Sequence, residues 1–173
     1  MGEAIARLLY QEGYRVVAIS DISGGIYKED GLDILDLSNY VKKNPSHLIE
    51  GYKAEGISSL ANQELLTLGV DILVPSAREN QITEDNAGDI KAKIIVEAAN
   101  GPTTPEADQI LNEKGITVVP DILSNAGGVV VSYLEWVQNI QYLMWDEKKV
   151  NSFLQEIMER SFQEVWEFHE QTK

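Results

Sequence analysis

Two loops carry the side chains that are best suited to holding a polar ligand. The first reads EAANGPTTPEAD over residues 97–108, and the second reads PDILSNAGGV over residues 120–129. Each follows a short β-branched run and leads into a helical pattern, and each contains an asparagine, Asn100 or Asn125. An asparagine amide provides both a donor and an acceptor of hydrogen bonds. Because ligands bind at the carboxyl edge of an open parallel α/β sheet, the two loops predict the rim of a nucleotide site.

Structural interpretations of both asparagines stay open at this point. Asn100 comes directly before Gly101, where a plain turn would also favour asparagine. Asn125 stands where a helix cap would lie. Taken alone, each residue is more typical of these structural roles than of ligand binding. Only the motifs around them reverse that preference.

The start of the chain combines a glycine with an acidic residue further along. A dinucleotide fold begins with a strand, the pattern G-x-G-x-x-G and a helix whose N-terminus holds the pyrophosphate. Gly2 suits the third glycine of that pattern, while the strand and the first two glycines are absent. Asp21 follows after about 20 residues, at the end of a strand pattern, where an acid accepts hydrogen bonds from an adenosine ribose. An ordinary turn would favour Asp21 equally well.

Alternating strand and helix patterns must position these residues. Apolar, β-branched runs predict strands over residues 14–20, 70–74, 94–97 and 116–119, the first of them buried on both sides. Amphipathic spacing predicts helices over 2–12, 35–43, 62–68, 83–90, 105–114, 124–144 and 148–171. Asn62 and Asp146 are candidate helix caps. Repeated strand–helix units imply a parallel, doubly wound sheet, and the polar stretch 44–59 is expected to be the loosest region.

The composition excludes several classes of function. The 173 residues suit one domain and include 14 Lys and Arg against 28 Asp and Glu, a net charge of −14. A nucleic-acid surface needs a basic face, so nucleic acid is not an expected partner. Without cysteine, disulfides and thiolate metal sites are impossible, which fits a reducing cytoplasm. His47 and His169 lie in segments that look exposed, so no metal site is expected, and no apolar run approaches a membrane span.

Four longer segments resemble one family of enzymes. They read AISDISGGIYKEDGLDI (18–34), VDILVPSARENQIT (70–83), KIIVEAANGPTTPEAD (93–108) and VVPDILSNAGGVVVSYLEWVQN (118–139). Together they resemble the nucleotide-binding domain of glutamate dehydrogenases, within the Glu/Leu/Phe/Val dehydrogenase family, over essentially the whole chain. The resemblance implies an α/β fold with a doubly wound, Rossmann-like parallel sheet that lacks its first strand, followed by a long C-terminal helix. It also implies that residues 1–173 form a partial NAD(P)-binding domain, without the N-terminal domain that carries the catalytic lysine and aspartate.

The same resemblance implies roles for individual residues. Gly2 would border the pyrophosphate, Asp21 and Ile22 would face the adenosine ribose, and Ser76 and Ala77 would line the wall nearby. Asn100 and Asn125 would hydrogen-bond the nicotinamide half. Ser132, seven residues or about two helical turns after Asn125 on the same helix face, would touch the side-chain carboxylate of the substrate. No catalytic residue and no metal ligand are expected within this chain.

Three functions follow as alternatives. The first is the coenzyme-binding part of an NAD(P)-dependent glutamate dehydrogenase, inactive alone, whose intact enzyme interconverts L-glutamate with 2-oxoglutarate and ammonia. The second is a non-catalytic nucleotide-binding or subunit-interaction protein, and the third is a leucine or phenylalanine dehydrogenase domain. Residues 21–27 contain no Lys or Arg, which favours NAD and leaves NADP possible. A cytoplasmic homo-oligomer is expected.

The absent first strand has a physical consequence. In the order 3-2-1-4-5-6 it would be central, so the strands over 14–20 and 70–74 would each expose an unpaired edge. An unpaired edge in mid-sheet predicts a marginally stable or oligomeric fold.

Overall fold

A computed structural model describes residues 1–172, which fall into two compact units. The first unit is Met1–Val118, and the second begins at Val119. The strands are β1 (Ala18–Asp21), β2 (Gly24–Tyr27), β3 (Ser58–Leu60), β4 (Ile72–Leu73), β5 (Ile94–Val96) and β6 (Thr117–Val119). The helices are α1 (Gly2–Gln11), α2 (Ile34–Lys43), α3 (Asn62–Leu66), α4 (Glu84–Ala87), α5 (Pro105–Glu113), α6 (Asp121–Ser124), α7 (Gly127–Gln141) and α8 (Glu147–Thr172).

The parallel half of the first unit, residues 62–118, contains the sheet ordered β4-β5-β6. β4 and β5 run parallel, with Ile72 opposite Ile94. One apolar core packs around β5, and its buried residues are Leu66, Leu73, Ile82, Ala87, Ile90, Ala92, Ile95, Ala107 and Leu111. The parallel α/β class is therefore confirmed in this half.

The antiparallel half, residues 1–60, contains a second sheet ordered β1-β2-β3, with antiparallel pairing throughout. No strand was predicted at β2 or β3. β2 reads GGIY and β3 reads SSL, so neither shows the β-branched enrichment by which strands are recognised. Gly25 is required there, because a Cβ on it would lie 3.0 Å from the carbonyl oxygen of Leu60 in β3. Close approach of the two strands explains the glycine better than a loop does.

The predicted strand over residues 14–20 is shorter and less buried than expected. β1 begins only at Ala18, and its side chains are partly exposed. Val16 and Val17 instead accept backbone hydrogen bonds from Leu32 and Lys28, at 2.8 Å each. β1 lies at the end of its sheet, which explains why the two-sided burial was predicted wrongly.

The strands over 14–20 and 70–74 were each expected to expose an edge. β1 and β4 each have one neighbour among the described strands, so each presents one free edge. Helix α3 contacts both halves: Leu66 lies in the parallel core, and the Asn62 amide accepts from the Ser20 hydroxyl in β1 at 2.9 Å. The prediction of Asn62 as a cap is wrong, because α3 begins after Ala61, whose N–H is bound by the Glu64 carboxylate.

Residues 44–52 are held firmly, against the expectation of a loose region. The Asn44 amide donates to the carbonyls of Leu48 (2.9 Å) and Glu50 (3.3 Å). The Tyr40 hydroxyl donates to the same Glu50 carbonyl at 2.6 Å. Ile49 and Tyr52 are buried in the core of the antiparallel half. The sequence did not reveal these contacts, because hydrogen bonds from side chains to the backbone produce no periodic pattern of hydrophobic residues.

The second unit consists of α6, α7 and α8. The predicted helix over 124–144 is interrupted, because α6 ends at Ser124 and α7 begins at Gly127. The cap predicted at Asp146 is confirmed, since its carboxylate accepts from the Lys149 N–H at 2.8 Å. Trp145 packs on Phe153 with ring centroids 5.0 Å apart, which ties the start of α8 to the preceding turn. No helix among residues 1–172 combines the length and apolarity that crossing a membrane requires.

Candidate functional site

A cleft of about 750 Å³ opens where β4 and β5 end. The residues around it come from the chain start and from the two loops that follow these strands: Met1, Ser76, Ala77, Arg78, Glu79, Asn80, Gln81, Ala98, Ala99 and Asn100. This is the carboxyl edge of the parallel sheet, where α/β proteins bind their ligands. Three residues predicted from sequence, Ser76, Ala77 and Asn100, therefore lie around one cavity.

Backbone hydrogen bonds fix the two loops against each other. The Pro75 carbonyl accepts from the N–H groups of Ala98 (3.0 Å) and Ala99 (2.9 Å). The Asn80 N–H donates to the Gly101 carbonyl at 2.9 Å, and the Gln81 N–H donates to that of Pro102 at 2.8 Å. Since all four bonds join main-chain groups, the cleft is shaped before any ligand enters.

The N-terminus of α1 reaches the same cleft. Met1 contributes to the wall, and Gly2 is the first residue of the helix. A Cβ on Gly2 would lie 3.4 Å from the Cβ of Ser76, so a larger side chain would press on the loop after β4. The partial positive charge of a helix N-terminus favours an anionic group at this end.

Asp21 ends β1 and makes three hydrogen bonds within the chain. Oδ1 accepts from the Ser23 N–H at 2.8 Å and from the Ser23 hydroxyl. Oδ2 accepts from the Ile49 N–H at 2.8 Å. Ile22, at the tip of the β1–β2 turn, is 79% exposed. Neither residue lines the cleft, but Ser20 beside them is connected to it through Asn62 and Gln81.

Asn125 and Ser132 belong to the second unit. Asn125 follows α6 as its C-cap, and its N–H donates to the Asp121 carbonyl at 3.0 Å. Ser132 is exposed on α7. The prediction that the two share one helix face is wrong, because the helix breaks between Ser124 and Gly127. The break lies at Asn125 and Ala126, and Gly127 and Gly128 are the first two residues of α7.

Sequence reasoning missed several polar residues of the cleft. Arg78, Glu79, Asn80 and Gln81 form its outer wall, and the Asn62 amide donates to the Gln81 side chain at 3.4 Å. These residues lie in a segment that shows no periodic pattern of hydrophobic residues. Only their position shortly after a strand could have identified them as site residues. That position was used for Ser76 and Ala77 and applies equally to the residues that follow.

A carboxylate whose pKa is lowered lies at the edge of the parallel sheet opposite the cleft. Asp71 directly precedes β4 and forms an ion pair with Lys93 at 2.6 Å. That hydrogen bond and the lysine charge lower the pKa of Asp71. The pair therefore marks the amino edge, away from the cleft. Among residues 1–172, no group of three or more histidine, aspartate and glutamate side chains is arranged to hold a metal ion.

Fold and site together define a class: an α/β protein with a preformed polar cleft at the carboxyl edge of a parallel sheet. Comparison with known proteins makes the assignment narrower. The family model of the glutamate/leucine/phenylalanine/valine dehydrogenases matches residues 1–173. The chain belongs to this family.

Curated relatives are similar over almost all of the chain. It is 52% identical to the NADP-specific glutamate dehydrogenase of Synechocystis sp., in an alignment that covers 95% of the chain and 40% of that protein. It is 49% identical to the NAD-specific glutamate dehydrogenase of Staphylococcus aureus, covering 99% of the chain and 40% of that protein. The chain thus spans about two fifths of the length of the curated relatives it matches.

Solved structures agree with this relationship. A hetero-hexameric glutamate dehydrogenase from Thermus thermophilus, in its leucine-bound form, superposes with a TM-score of 0.80 at 34% identity. That match covers 92% of this chain and 36% of the other. The glutamate dehydrogenase of Peptoniphilus asaccharolyticus gives a TM-score of 0.74 at 36% identity, covering 95% of this chain and 37% of the other. The Rossmann-like α/β assignment is confirmed by these neighbours.

Proposed function

We propose that the chain is the coenzyme-binding part of an NAD(P)-dependent glutamate dehydrogenase. The observation that carries this proposal is the cleft at the ends of β4 and β5, bordered by the N-terminus of α1. Relatives named as NADP-specific and NAD-specific glutamate dehydrogenases support the cofactor class.

The residues of the cleft fit a dinucleotide. Its volume of about 750 Å³ falls in the range of small-molecule and cofactor sites. The α1 N-terminus suits a pyrophosphate, and the glycine at position 2 keeps the approach to Ser76 free of a side chain. The Asn100 amide suits a carboxamide or hydroxyl group, because it can both donate and accept. The cofactor, when bound, would accept or supply the hydride.

We propose that each site residue predicted from the sequence helps to bind or orient the cofactor or the substrate. Gly2 borders the pyrophosphate, Ser76 and Ala77 line the wall beside it, and Asn100 holds the nicotinamide half. Asp21 and Ile22 face the adenosine ribose. Asn125 is proposed to share the nicotinamide contact, and Ser132 is proposed to meet the substrate carboxylate.

The complete enzyme would interconvert L-glutamate with 2-oxoglutarate and ammonia as a cytoplasmic homo-oligomer. We infer that this chain, a partial NAD(P)-binding domain, does not catalyse that reaction alone. The chain spans about two fifths of the length of the curated relatives it matches, and the ionisable side chains that line the cleft are Arg78 and Glu79. Robust glutamate oxidation by the purified chain with NAD⁺ would contradict this inference.

Titration with NADH, followed by nicotinamide fluorescence, tests the binding function. The wild-type chain should saturate, and Asn100→Ala should weaken binding by about tenfold, the effect of one lost polar contact. Asn112→Ala is the matched control, because Asn112 is exposed on α5 outside the cleft. Absence of NADH binding by a chain that circular dichroism shows to be folded would refute the proposal.

The second candidate is a non-catalytic protein that pairs with dehydrogenase subunits. It is favoured by α8, whose described residues include none that is buried and whose Phe162, Val165, Trp166 and Phe168 are exposed. A stripe of this kind marks an interaction surface. Co-sedimentation with a full-length glutamate dehydrogenase, without nucleotide binding, would place this function ahead of the first.

A further inference from the structure

One wall of the cleft carries a positive charge that no group of the chain neutralises by contact. Arg78 lies two residues after Ser76, in the loop that follows β4, and its side chain is exposed. Within residues 1–172 its guanidinium forms no ion pair and no hydrogen bond. By contrast, Lys93 pairs with Asp71 at 2.6 Å, and Lys114 donates to three backbone carbonyls. The five N–H donors of Arg78 are therefore available to a ligand.

The backbone is fixed on both sides of Arg78. Before it, the Pro75 carbonyl accepts from two N–H groups of the loop after β5. After it, the Asn80 N–H donates to the Gly101 carbonyl at 2.9 Å. Asn80 also has a φ of 52°, in the left-handed region that asparagine tolerates better than most residues. The main chain of Arg78 is thus held in place, while its long side chain can still move onto a ligand.

The same wall borders the N-terminus of α1. A Cβ on Gly2 would lie 3.4 Å from the Cβ of Ser76, so the first turn of the helix and the loop after β4 meet at one part of the cleft. Two residues of chain span at most about 7 Å, a distance that an arginine side chain can cover. The Arg78 guanidinium can therefore reach an anionic group that is held at the α1 N-terminus.

The charge balance of the cleft favours a cation beside such a group. The chain carries a net charge of −14, and both phosphates of a dinucleotide are anionic, so the overall field of the protein repels the cofactor. A helix N-terminus supplies only about half of a positive charge. Among the side chains that line the cleft within residues 1–172, Arg78 is the one cation and Glu79 the one anion. Arg78 therefore supplies the full positive charge, which Glu79 opposes.

We propose that Arg78 binds the pyrophosphate of the dinucleotide and thereby offsets the negative field of this acidic chain. This role rests on the proposed function and deepens it by naming the side chain that neutralises the phosphates. A guanidinium presents parallel N–H donors that match two phosphate oxygens, and its charge strengthens both bonds. The neighbouring Glu79 carboxylate weakens binding through its charge, so the two side chains act in opposite directions.

Four variants separate charge, donor geometry and position. Arg78→Gln removes the charge and the fork of donors, whereas Arg78→Lys keeps the charge and removes only the planar fork. Glu79→Gln removes the opposing charge. Arg15→Gln is the matched control for the change in net charge, because Arg15 is exposed near the amino edge, where its charge is, after Lys93, a further cause of the lowered pKa of Asp71.

Dissociation constants for NADH and NADPH should be measured for the full chain by nicotinamide fluorescence, at low and at high salt. At low salt Arg78→Gln should weaken the binding of both by about tenfold, and Arg78→Lys by about threefold. Glu79→Gln should tighten binding by about threefold, and Arg15→Gln should leave it unchanged. The difference between wild type and Arg78→Gln should shrink at high salt, because salt screens the attraction between the guanidinium and the phosphates.

Competition by inorganic pyrophosphate tests the contact without the rest of the cofactor. Pyrophosphate should displace NADH from the wild type, and about tenfold more of it should be needed with Arg78→Gln. A side chain with a purely structural role would change neither this competition nor the salt dependence.

Failure of this contact and failure of the proposed function give different results. If the wild type binds NADH and Arg78→Gln binds it equally well at low salt, the contact is wrong and the proposed function stands. A loss for NADPH alone would place the guanidinium at the 2′-phosphate, and an equal loss in Arg15→Gln would reduce the effect to net charge; either result would overturn the contact. If a wild-type chain that circular dichroism shows to be folded binds neither nucleotide, the proposed function and the contact are both wrong.

Discussion

The two halves of the first unit are stabilised by different interactions. The parallel half packs around β5, where Ile82, Ile95 and Leu111 have no exposed surface. The antiparallel half buries its apolar residues less completely and adds polar anchors from Asp21, Tyr40 and Asn44 to the backbone. Apolar packing suffices where helices cover a sheet. A sheet with glycine and serine strands needs hydrogen bonds from side chains as well.

The two halves also contribute different parts of the candidate site. The cleft is formed by loops of the parallel half, which its core and backbone bonds hold in place. Asp21, which is proposed to face the adenosine ribose, lies in the antiparallel half, where the orientation of its carboxylate depends on individual hydrogen bonds. We therefore expect core substitutions in the parallel half to abolish folding and binding together. Substitution of Asp21 in the antiparallel half should weaken nucleotide binding before it prevents folding.

The largest effect is expected in the parallel core. Ile95→Ala should lower the free energy of unfolding by about 3 kcal/mol, because it leaves a cavity around a fully buried side chain in β5. Ile94→Ala, one residue earlier in the same strand and 37% exposed, is the matched control and should cost far less. Urea denaturation measures both. Equal losses would contradict the account of the parallel core.

A smaller loss is expected where β2 and β3 approach. Gly25→Ala should cost about 2 kcal/mol, because its Cβ would lie 3.0 Å from the Leu60 carbonyl oxygen and force the strands apart. Gly88→Ala is the control, since a Cβ there meets nothing within 4 Å. Thermal melts of both variants give the comparison. An unaffected Gly25→Ala would show that the β2–β3 approach is not tight.

One polar anchor lies in the parallel half and sharpens the comparison. The Lys114 ammonium donates to the carbonyls of Ala87 (3.3 Å) and Ile90 (2.7 Å) and to that of Gly88. Lys114→Met should therefore cost about 1 kcal/mol, less than the core substitution. Lys91→Met, at an exposed lysine nearby, should change stability little. A loss in Lys114→Met as large as that in Ile95→Ala would erase the distinction between the halves.

The smallest effect concerns alkaline pH in the antiparallel half. Burial, and then the hydrogen bond donated to Asp36 at 2.8 Å, raise the pKa of Tyr52 to about 12 from 10.0. The folded state favours the neutral phenol, so this stabilisation is complete below pH 10 and is lost as the pH rises towards 12. The stability difference between wild type and Tyr52→Phe should accordingly narrow over that interval in urea titrations. A constant difference up to pH 12 would refute this reading.

The parallel half was also easier to predict from the sequence than the antiparallel half. β5 and α5 were predicted within one residue, because burial of Ile95, Ala107 and Leu111 imposes apolar spacing that is visible in the chain. β2 and β3 were missed, because their requirement is for small residues at a close approach. The break at Asn125 between α6 and α7 was also missed, because a single turn is too short to change the hydrophobic periodicity of the sequence.

The candidate site was predictable in part. Ser76, Ala77 and Asn100 follow strands of the parallel sheet, and the structure brings them together at one cleft. The bonds from Ser23 to Asp21 are the local turn contact that the sequence allowed. The bond from Ile49 was not predictable, because Ile49 is 28 residues away and contributes a backbone N–H that no side-chain pattern reveals.

Chemical-shift mapping of backbone amides during an NADH titration tests the central claim most directly, because it reports where the nucleotide binds. The account predicts saturable shifts concentrated at residues 76–81 and 98–100 and at the first turn of α1, with little change at the amino edge around Asp71 and Lys93. Shifts confined to other surfaces, or no shifts in a folded chain at saturating NADH, would contradict it.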